Sequence, residues 1–189
     1  MLIKPDTLRR FVTEVFVSAG ATEATASDVA HHLVEANLKG HDSHGVGMTP
    51  AYVRNIRVGH LHPNAHANVV RDSGAVVLVD GQFGFGQVVG REATDLAIER
   101  VRTTGVVCLG LRNAHHLGRI GAYGERCGRA GFVSVHFVNV VGHEPQVSPW
   151  GGRERRMTTN PFCCVVPRDG DEPVVLDMAT SAIALGKMR

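Results

Sequence analysis

The chain has 189 residues, of which 43% are hydrophobic and 20% charged, and its net charge is +2 at pH 7. These values are typical of a globular protein that buries a sizeable core in one large domain or parts of two. The weak charge and the lack of a basic stripe argue against nucleic acid or an anionic membrane as the main partner. The chain has no signal-peptide start, no run as long as a membrane span and no disulfide spacing among its four cysteines. We therefore expect a cytoplasmic protein with reduced, mostly buried thiols.

Apolar periodicity predicts three helices in the first sixty residues. Asp6 is placed to cap the first helix, which ends at Gly20, and Thr22 is placed to cap the second, which ends at Gly40. A third helix follows a corner at Ser43. The positions expected to face inward are Leu8, Phe11, Val12, Val15 and Phe16 in the first helix, Val29, Leu33, Val34 and Ala36 in the second, and Val46, Tyr52, Val53 and Ile56 in the third.

The rest of the chain alternates apolar runs with helical patterns, after a loop-like stretch over residues 59–73. The predicted strands cover residues 75–79, 106–111, 132–138, 163–166 and 174–176, the predicted helices cover 87–102 and 120–130, and a glycine- and proline-rich loop covers 140–159. Thr180 or Ser181 is placed to cap a last helix. This order of elements predicts an α/β protein.

A carboxylate, a hydroxyl and an imidazole stand on consecutive residues in the motif Gly40-His41-Asp42-Ser43-His44-Gly45-Val46-Gly47. Asp42 and Ser43 are both good N-cap residues, so we predict a helix–turn–helix corner. An imidazole at His44 could exchange a proton there, because free imidazole titrates near neutral pH. Alternatively, Ser43 is a simple cap and His44 a solvated first-turn residue. These eight residues alone favour this second interpretation.

The segment Gly84-Phe85-Gly86 follows a strand and opens a helix, as a dinucleotide-binding fingerprint does. However, Val89 stands where the third glycine belongs, and the next strand runs on into Arg112 instead of ending at an acidic residue. We therefore reject a standard Rossmann crossover.

Clusters of histidine invite a metal-site hypothesis, and the best candidates are His60, His62 and His66, and His41 with His44. Structural zinc sites usually draw on cysteine pairs at fixed spacing, and this chain has none. We therefore predict no metal site.

Two further stretches lie where α/β proteins commonly bind ligands. Residues 112–119, with sequence RNAHHLGR, come directly off a strand end. Residues 176–181, with sequence LDMATS, join a strand to a helix start whose amides and hydroxyls could hold a phosphate or ribose. Packing of the histidine pair and simple helix capping are the structural alternatives.

Taken together, these stretches resemble the malate/L-lactate dehydrogenase family of NAD(P)-dependent oxidoreductases, which includes ureidoglycolate, sulfolactate and diketogulonate members. The ordered motifs that carry the resemblance are residues 41–48 (HDSHGVGM), 84–87 (GFGQ), His116-Leu117-Gly118 with Gly121 and Tyr123, 149–152 (PWGG), 159–161 (TNP), and 176–181 (LDMATS) with Gly186-Lys187. The resemblance covers essentially the whole chain, which corresponds to about the first half of a family member.

The resemblance implies a truncated α/β protein without a Rossmann fold. Residues 1–73 would form the N-terminal helical segment of the catalytic domain, and residues 74–189 the first part of an NAD(P)-binding domain on a largely antiparallel or mixed sheet. The rest of the family scaffold would normally cover the helices. We therefore expect exposed apolar stripes from Leu8, Val12, Val29 and Leu33, in a chain that stops within a predicted helix.

The resemblance also implies hydride transfer between NAD or NADP and a small 2-hydroxy, 2-oxo or imino carboxylic acid in a homodimer. His44 would exchange the proton at the substrate oxygen with support from Ser43, and His116 would lie at the substrate–nicotinamide end. Some members carry arginine at the position of Met48, so Arg119, or a residue from the second half of the family scaffold, becomes the candidate for the substrate carboxylate. The cofactor-side candidates are Ser148, Thr159, Asn160, Asp177, Met178, Ala179, Thr180 and Ser181. The alternative function is a catalytically silent fragment or interaction protein that keeps half of the scaffold.

Overall fold

The computed structural model describes residues 3–142 and 144–182. The chain divides into two compact units, unit 1 up to Arg119 and unit 2 from Ile120 onward. The boundary predicted after residue 73 separates two domains of the family scaffold, which is a different division from these compact units. It stays a prediction. The last helix predicted after Thr180 or Ser181, and the motif Gly186-Lys187, lie outside the described residues. In the described ranges, no helix combines the length and apolar character that crossing a membrane requires.

Unit 1 combines helices with a mixed sheet. Its elements are α1 (Pro5–Ser18), α2 (Glu23–Leu38), α3 (Thr49–Arg57), β1 (Asn68–Asp72), β2 (Val76–Asp80), α4 (Gly86–Thr104) and β3 (Cys108–Arg112). The strand order is β1-β2-β3, in which β2 pairs antiparallel with β1 and parallel with β3. The prediction of a loop over residues 59–73 is wrong for β1. Every residue of β1 is exposed, so no alternation of buried apolar and exposed polar positions marks it in the sequence.

The starts of the first two helices follow ordinary capping chemistry, with one correction. Thr22 caps α2 as predicted, because its side-chain oxygen accepts the N–H of Thr25. Asp6 does not cap α1, which begins at Pro5. Proline suits a first helical position because the N–H that it lacks would have no intrahelical partner. The Asp6 carboxylate instead accepts a hydrogen bond from Arg9 in the same turn.

The core of unit 1 lies between its helices. Its buried cluster consists of Val12, Phe16, Ala21, Ala26, Val29, Ala30, Leu33, Tyr52, Leu61, Phe85 and Val88. The expectation that Val12, Val29 and Leu33 would be exposed is wrong, because they are 2%, 0% and 0% exposed. Residues that follow α3, namely Leu61, Phe85 and Val88, pack in the same buried cluster as these helices. The ring of Phe85, for example, lies 5.2 Å from the ring of Phe16.

The outer side of α1 is the part of the first helix that stays open. Phe11, which was predicted to face inward, is 61% exposed. It lies in a groove of about 580 Å³ that Leu8, Val15 and Val53 also line. Leu8, expected to be exposed, is partly buried. The inward stripe of α1 is therefore narrower than the periodicity predicted.

Unit 2 is built on an antiparallel sheet. Its elements are α5 (Gly121–Arg129), β4 (Ser134–Phe137), β5 (Phe162–Arg168) and β6 (Asp171–Met178), with strand order β4-β5-β6. The α/β class and the antiparallel or mixed sheets are thus confirmed. The four cysteines carry no disulfide, and Cys127 and Cys163 are buried, whereas Cys108 is exposed.

The burial pattern of α2 yields a stability prediction. Leu33→Ala should lower the free energy of unfolding by about 2–5 kcal/mol, because it removes buried methyl groups and leaves a cavity. Leu38→Ala is the matched control in the same helix, because Leu38 is 58% exposed. The control should change stability by less than about 0.5 kcal/mol. Urea unfolding monitored by circular dichroism measures both, and equal effects of the two substitutions would contradict the packing described.

Candidate functional site

The corner between α2 and α3 contains two short 3-10 helices, Asp42–His44 and Val46–Met48. The interpretation of Ser43 as a simple cap of the following helix is wrong. Helix α3 begins at Thr49, carries Pro50 in its first turn and has no side-chain cap. The tight 3-10 turns leave Ser43 inside a turn instead of in front of a helix.

Asn37, near the end of α2, holds this corner together. Its Nδ2 donates to Oδ1 of Asp42 at 2.5 Å, and its Oδ1 accepts the N–H of Val46 at 2.8 Å. A Cβ at residue 45 would lie 2.2 Å from Oδ1 of Asn37, so any residue other than glycine there would displace the Asn37 side chain. Sequence reasoning missed Asn37. The signal that pointed to it is an amide side chain in the last turn before the glycine-flanked motif.

The structure brings together two of the three predicted catalytic residues. Nδ1 of His44 lies 3.1 Å from Nε2 of His116, although 72 positions separate them in the sequence. The two rings stack with centroids 5.2 Å apart and planes inclined by 19°. His116 comes from the segment that follows β3, as the strand-end argument predicted. Ser43, the third residue, is partly buried and lies next to His44 in the same turn.

Two residues that sequence reasoning missed contact the other side of His116. The hydroxyl of Tyr52 lies 2.5 Å from Nδ1 of His116, and Nε2 of Gln87 donates to that hydroxyl at 2.8 Å. Tyr52 is 0% exposed and Gln87 is 3% exposed. Burial raises the pKa of Tyr52, so the phenol keeps its hydrogen. A tyrosine within an apolar helix stripe was the available signal, because a buried hydroxyl needs partners.

The His116 ring is held in its neutral form. Removal from water and, to a smaller extent, the charges that His44, His115 and His32 can carry together lower the pKa of His116 to about 3. Burial, and to a smaller extent His60, also lowers the pKa of His115. A ring with such a low pKa is uncharged at physiological pH. His116 therefore offers His44 a hydrogen-bonding group without a charge.

Backbone packing around residue 86 accounts for the glycine motif in unit 1. A Cβ at Gly86 would lie 2.3 Å from the carbonyl oxygen of His116. Gly86 thus lets the start of α4 approach the segment that carries the two histidines. The motif serves close packing, in agreement with the rejected Rossmann fingerprint.

Arg119, the candidate for the substrate carboxylate, is 5% exposed. Its backbone N–H donates to Nε2 of His32 at 3.1 Å. His32 belongs to α2, so a side chain of the helical core positions the chain at residue 119. The segment 115–119 is therefore tied to the helices both through His116 and through Arg119.

Three of the predicted cofactor-side residues come together in unit 2. The carbonyl oxygen of Thr159 accepts the backbone N–H of Thr180 at 3.0 Å and the hydroxyl of Thr180 at 3.1 Å. The next residue, Asn160, has a positive φ of 33°, and its Oδ1 accepts the N–H of Val140 at 3.2 Å and the hydroxyl of Thr158. These contacts join the end of the long loop to the segment after β6.

The other cofactor-side candidates have varied settings. Oδ2 of Asp177 accepts the N–H of Gly121 at 2.8 Å, so this carboxylate serves the first residue of α5. Ser148 is exposed, and Ser181 is partly buried. The hydroxyl and amide groups gathered here are donors and acceptors of the kind that ribose and phosphate require. Asp177 fits less well, because one of its oxygens is already engaged.

The loop histidines considered as metal ligands have other partners. Nδ1 of His62 lies 2.9 Å from the carbonyl oxygen of Gln82, and Nδ1 of His66 lies 2.7 Å from Oε1 of Glu92. Among residues 3–142 and 144–182, no group of three or more histidine, cysteine, aspartate or glutamate side chains is arranged to hold a metal ion.

Residues 3–189 match the family model described as malate/L-lactate dehydrogenase. The chain belongs to this family. It is 53% identical over 183 residues to hydroxycarboxylate dehydrogenase B of Escherichia coli O157:H7, an alignment that covers 97% of the chain and 50% of the relative. It is 44% identical to L-lactate dehydrogenase of Cupriavidus necator, covering 100% of the chain and 54% of that protein.

A solved structure shows the same similarity. Malate dehydrogenase from Pyrococcus horikoshii OT3 matches with a TM-score of 0.92 and 36% identity, over 100% of this chain and 53% of that one. The chain thus spans about half the length of the relatives that it matches. The fold expected from the resemblance is confirmed by this match.

The corner geometry predicts unequal effects of two glycine substitutions. Gly45→Ala should lower the free energy of unfolding by about 1–3 kcal/mol, because its Cβ would displace the Asn37 side chain that holds the turn. Gly47→Ala is the control two residues away, where nothing lies within 4 Å of a new Cβ. Chemical unfolding measures both. A Gly45→Ala protein as stable as the control would show that Asn37 does not hold the corner.

The low pKa of His116 predicts a specific dependence of stability on pH. As pH falls below 6.5, the unfolded chain takes up a proton on this histidine and the folded chain does not, down to about pH 3. The free energy of unfolding should therefore fall by up to about 2 kcal/mol between pH 6.5 and pH 5 because of His116. In His116→Gln the part of this pH dependence that is due to His116 should disappear. His31→Gln, at an exposed position, should have the same pH dependence as the unaltered protein. Urea midpoints at several pH values measure the slope, and equal slopes in the two variants would contradict a buried neutral His116.

Proposed function

We propose that the protein is an NAD(P)-dependent oxidoreductase that transfers a hydride between nicotinamide and a small 2-hydroxy, 2-oxo or imino carboxylic acid. The single observation that carries the proposal is the pairing of His44 with the neutral, buried His116. The names of the relatives, a hydroxycarboxylate dehydrogenase and a lactate dehydrogenase, support the substrate class.

In this function His44 exchanges a proton with the substrate oxygen. When hydride reaches the carbonyl carbon, negative charge develops on oxygen, and an imidazolium gives up a proton to it. In the reverse direction His44 takes the proton of the hydroxyl. Ser43 supports His44 by hydrogen bonding, and His116 holds Nδ1 of His44. A positioned general acid of this kind contributes typically about 10²- to 10⁴-fold in rate.

The nicotinamide, when bound, supplies or accepts the hydride. Ser148, Thr159, Asn160 and the segment of residues 177–181 would hold the cofactor. The two hydrogen bonds between Thr180 and Thr159 support this assignment, because they keep two of these segments together. Arg119 would bind the substrate carboxylate, and its burial supports the proposal because charge-assisted hydrogen bonds are strong away from water.

The proposal extends to a homodimer in the cytoplasm and to either NAD or NADP. Four cysteines without a disulfide support a reducing compartment. The alternative of a catalytically silent interaction protein has weaker support. The hydrogen bonds that join Gln87, Tyr52, His116 and His44 favour the enzyme, because they hold the imidazole of His44 in a fixed position.

Substitution of His44 tests the proposed function in the protein that carries this chain. His44→Ala should reduce turnover in 2-oxo acid reduction at least about hundredfold, because the proton donor is lost. Ser43→Ala should reduce turnover only about tenfold or less, because it removes one supporting hydrogen bond of about 1 kcal/mol. Rates are measured by nicotinamide absorbance, and cofactor affinity by nicotinamide fluorescence.

His31→Ala, at an exposed position on α2, is the matched control and should leave turnover unchanged. Cofactor affinity should stay the same in all three variants, because the proposed cofactor residues lie after residue 147. Near-normal turnover in His44→Ala, or a loss of cofactor binding in its place, would contradict the assignment.

A further inference from the structure

We propose that Tyr52 and Gln87 are positioning residues that act on His44 through His116, by fixing which ring nitrogen of each histidine carries the proton. This inference rests on the proposed function and deepens it. Three hydrogen bonds form a continuous chain: Gln87 to Tyr52 at 2.8 Å, Tyr52 to His116 at 2.5 Å, and His116 to His44 at 3.1 Å.

The order of donors and acceptors along these three hydrogen bonds is set first at Gln87. Its amide nitrogen can only donate, so the Tyr52 oxygen accepts that hydrogen. The phenol has one hydrogen of its own, and burial keeps that hydrogen in place by raising the pKa of Tyr52. The short contact to Nδ1 of His116 is therefore an O–H donor on a nitrogen acceptor.

The donor and acceptor nitrogens of His116 follow from this order. A neutral imidazole has one N–H and one acceptor nitrogen. Because Nδ1 of His116 accepts from Tyr52, its hydrogen must stand on Nε2, which donates to Nδ1 of His44. His44 in its neutral form then carries its own hydrogen on Nε2. Because His116 holds Nδ1 of His44, we assign proton exchange with a substrate to Nε2. In this resting state Nε2 already carries a hydrogen and cannot accept another.

When His44 is charged, the donors and acceptors along these three hydrogen bonds must exchange roles. The imidazolium carries hydrogens on both nitrogens, so Nδ1 of His44 becomes the donor and Nε2 of His116 the acceptor. The His116 hydrogen then stands on Nδ1 and points to Tyr52, and Tyr52 donates to the amide of Gln87. In reduction the charged His44 gives its Nε2 hydrogen to the substrate oxygen and becomes neutral, with its remaining hydrogen on Nδ1. In oxidation the vacated Nε2 takes the proton of the substrate hydroxyl, so the hydrogen bonds keep this second direction while the proton is exchanged.

Gln87 is suited to both directions. Its Oε1 is buried and has no hydrogen-bond partner among the described residues. A half-turn of the amide brings this acceptor to the Tyr52 hydroxyl in place of the donor. An amide can serve both states, whereas a purely donating or purely accepting side chain would oppose one of them.

The direction is tested by nuclear magnetic resonance of the whole protein with ¹⁵N-labelled histidine. In the substrate-free protein, at a pH high enough for His44 to be neutral, the hydrogen between the two rings should show a one-bond coupling to Nε2 of His116, and Nδ1 of His44 should have the shift of an acceptor nitrogen. A one-bond coupling to Nδ1 of His44 at that pH would overturn the proposal. This measurement does not depend on turnover, so correct couplings in a protein without dehydrogenase activity would refute the proposed function and leave the hydrogen-bond direction standing.

The positioning role is tested with Tyr52→Phe and Gln87→Met, which keep the ring and the side-chain length. Tyr123→Phe and Gln146→Met are the matched controls in unit 2. The first two variants should lower kcat about tenfold and shift the pH profile of kcat, with KM for the cofactor unchanged, whereas the controls should do neither. Variants that lose only thermal stability, with the kcat and pH profile of the unaltered protein, would overturn the role.

Discussion

A buried phenol hydroxyl is the constraint on which the site of unit 1 depends. The Tyr52 side chain is 0% exposed, and its ring lies 6.2 Å from Phe16 and 6.0 Å from Phe85 within the helical core. A buried hydroxyl left without a partner costs about 1–3 kcal/mol. His116 and Gln87 supply the partners. The same side chain therefore stabilises the core and places the imidazole that meets His44, so neither the packing nor the site geometry can change without the other.

Close backbone packing connects the segment that contains His116 to the sheet of unit 1. The segments that follow the parallel strands β2 and β3 are bonded to each other: the N–H of Gly81 donates to the carbonyl of Arg112 at 2.8 Å, and the N–H of Phe83 donates to the carbonyl of Asn113 at 2.7 Å. Further along, Gly86 leaves room for the carbonyl of His116. A glycine motif after a strand is thus explained here by the close approach of two protein segments.

Periodicity in the sequence was sufficient for the helices and for most of the strands, because burial on one face imposes it. It was insufficient for β1, whose residues are all exposed, and for the 3-10 turns at Ser43, where cap propensity alone suggested an α-helix start. In the site, residue chemistry made His44 and the segment of His116 candidates, and the family resemblance assigned their roles. The roles of Tyr52 and Gln87 depend on contacts across 64 and 35 residues, which no local pattern reveals.

The absence of charge on His116, which contacts His44, has a chemical consequence. In a serine protease the histidine is oriented by a carboxylate, which also stabilises the imidazolium that forms. Here the group at Nδ1 of His44 is an imidazole whose burial keeps it uncharged, so it orients the ring without adding a negative charge. An imidazolium without that added stabilisation gives its proton back more readily. Orientation without charge therefore suits a reaction in which the same side chain must donate a proton in one direction and recover it in the other.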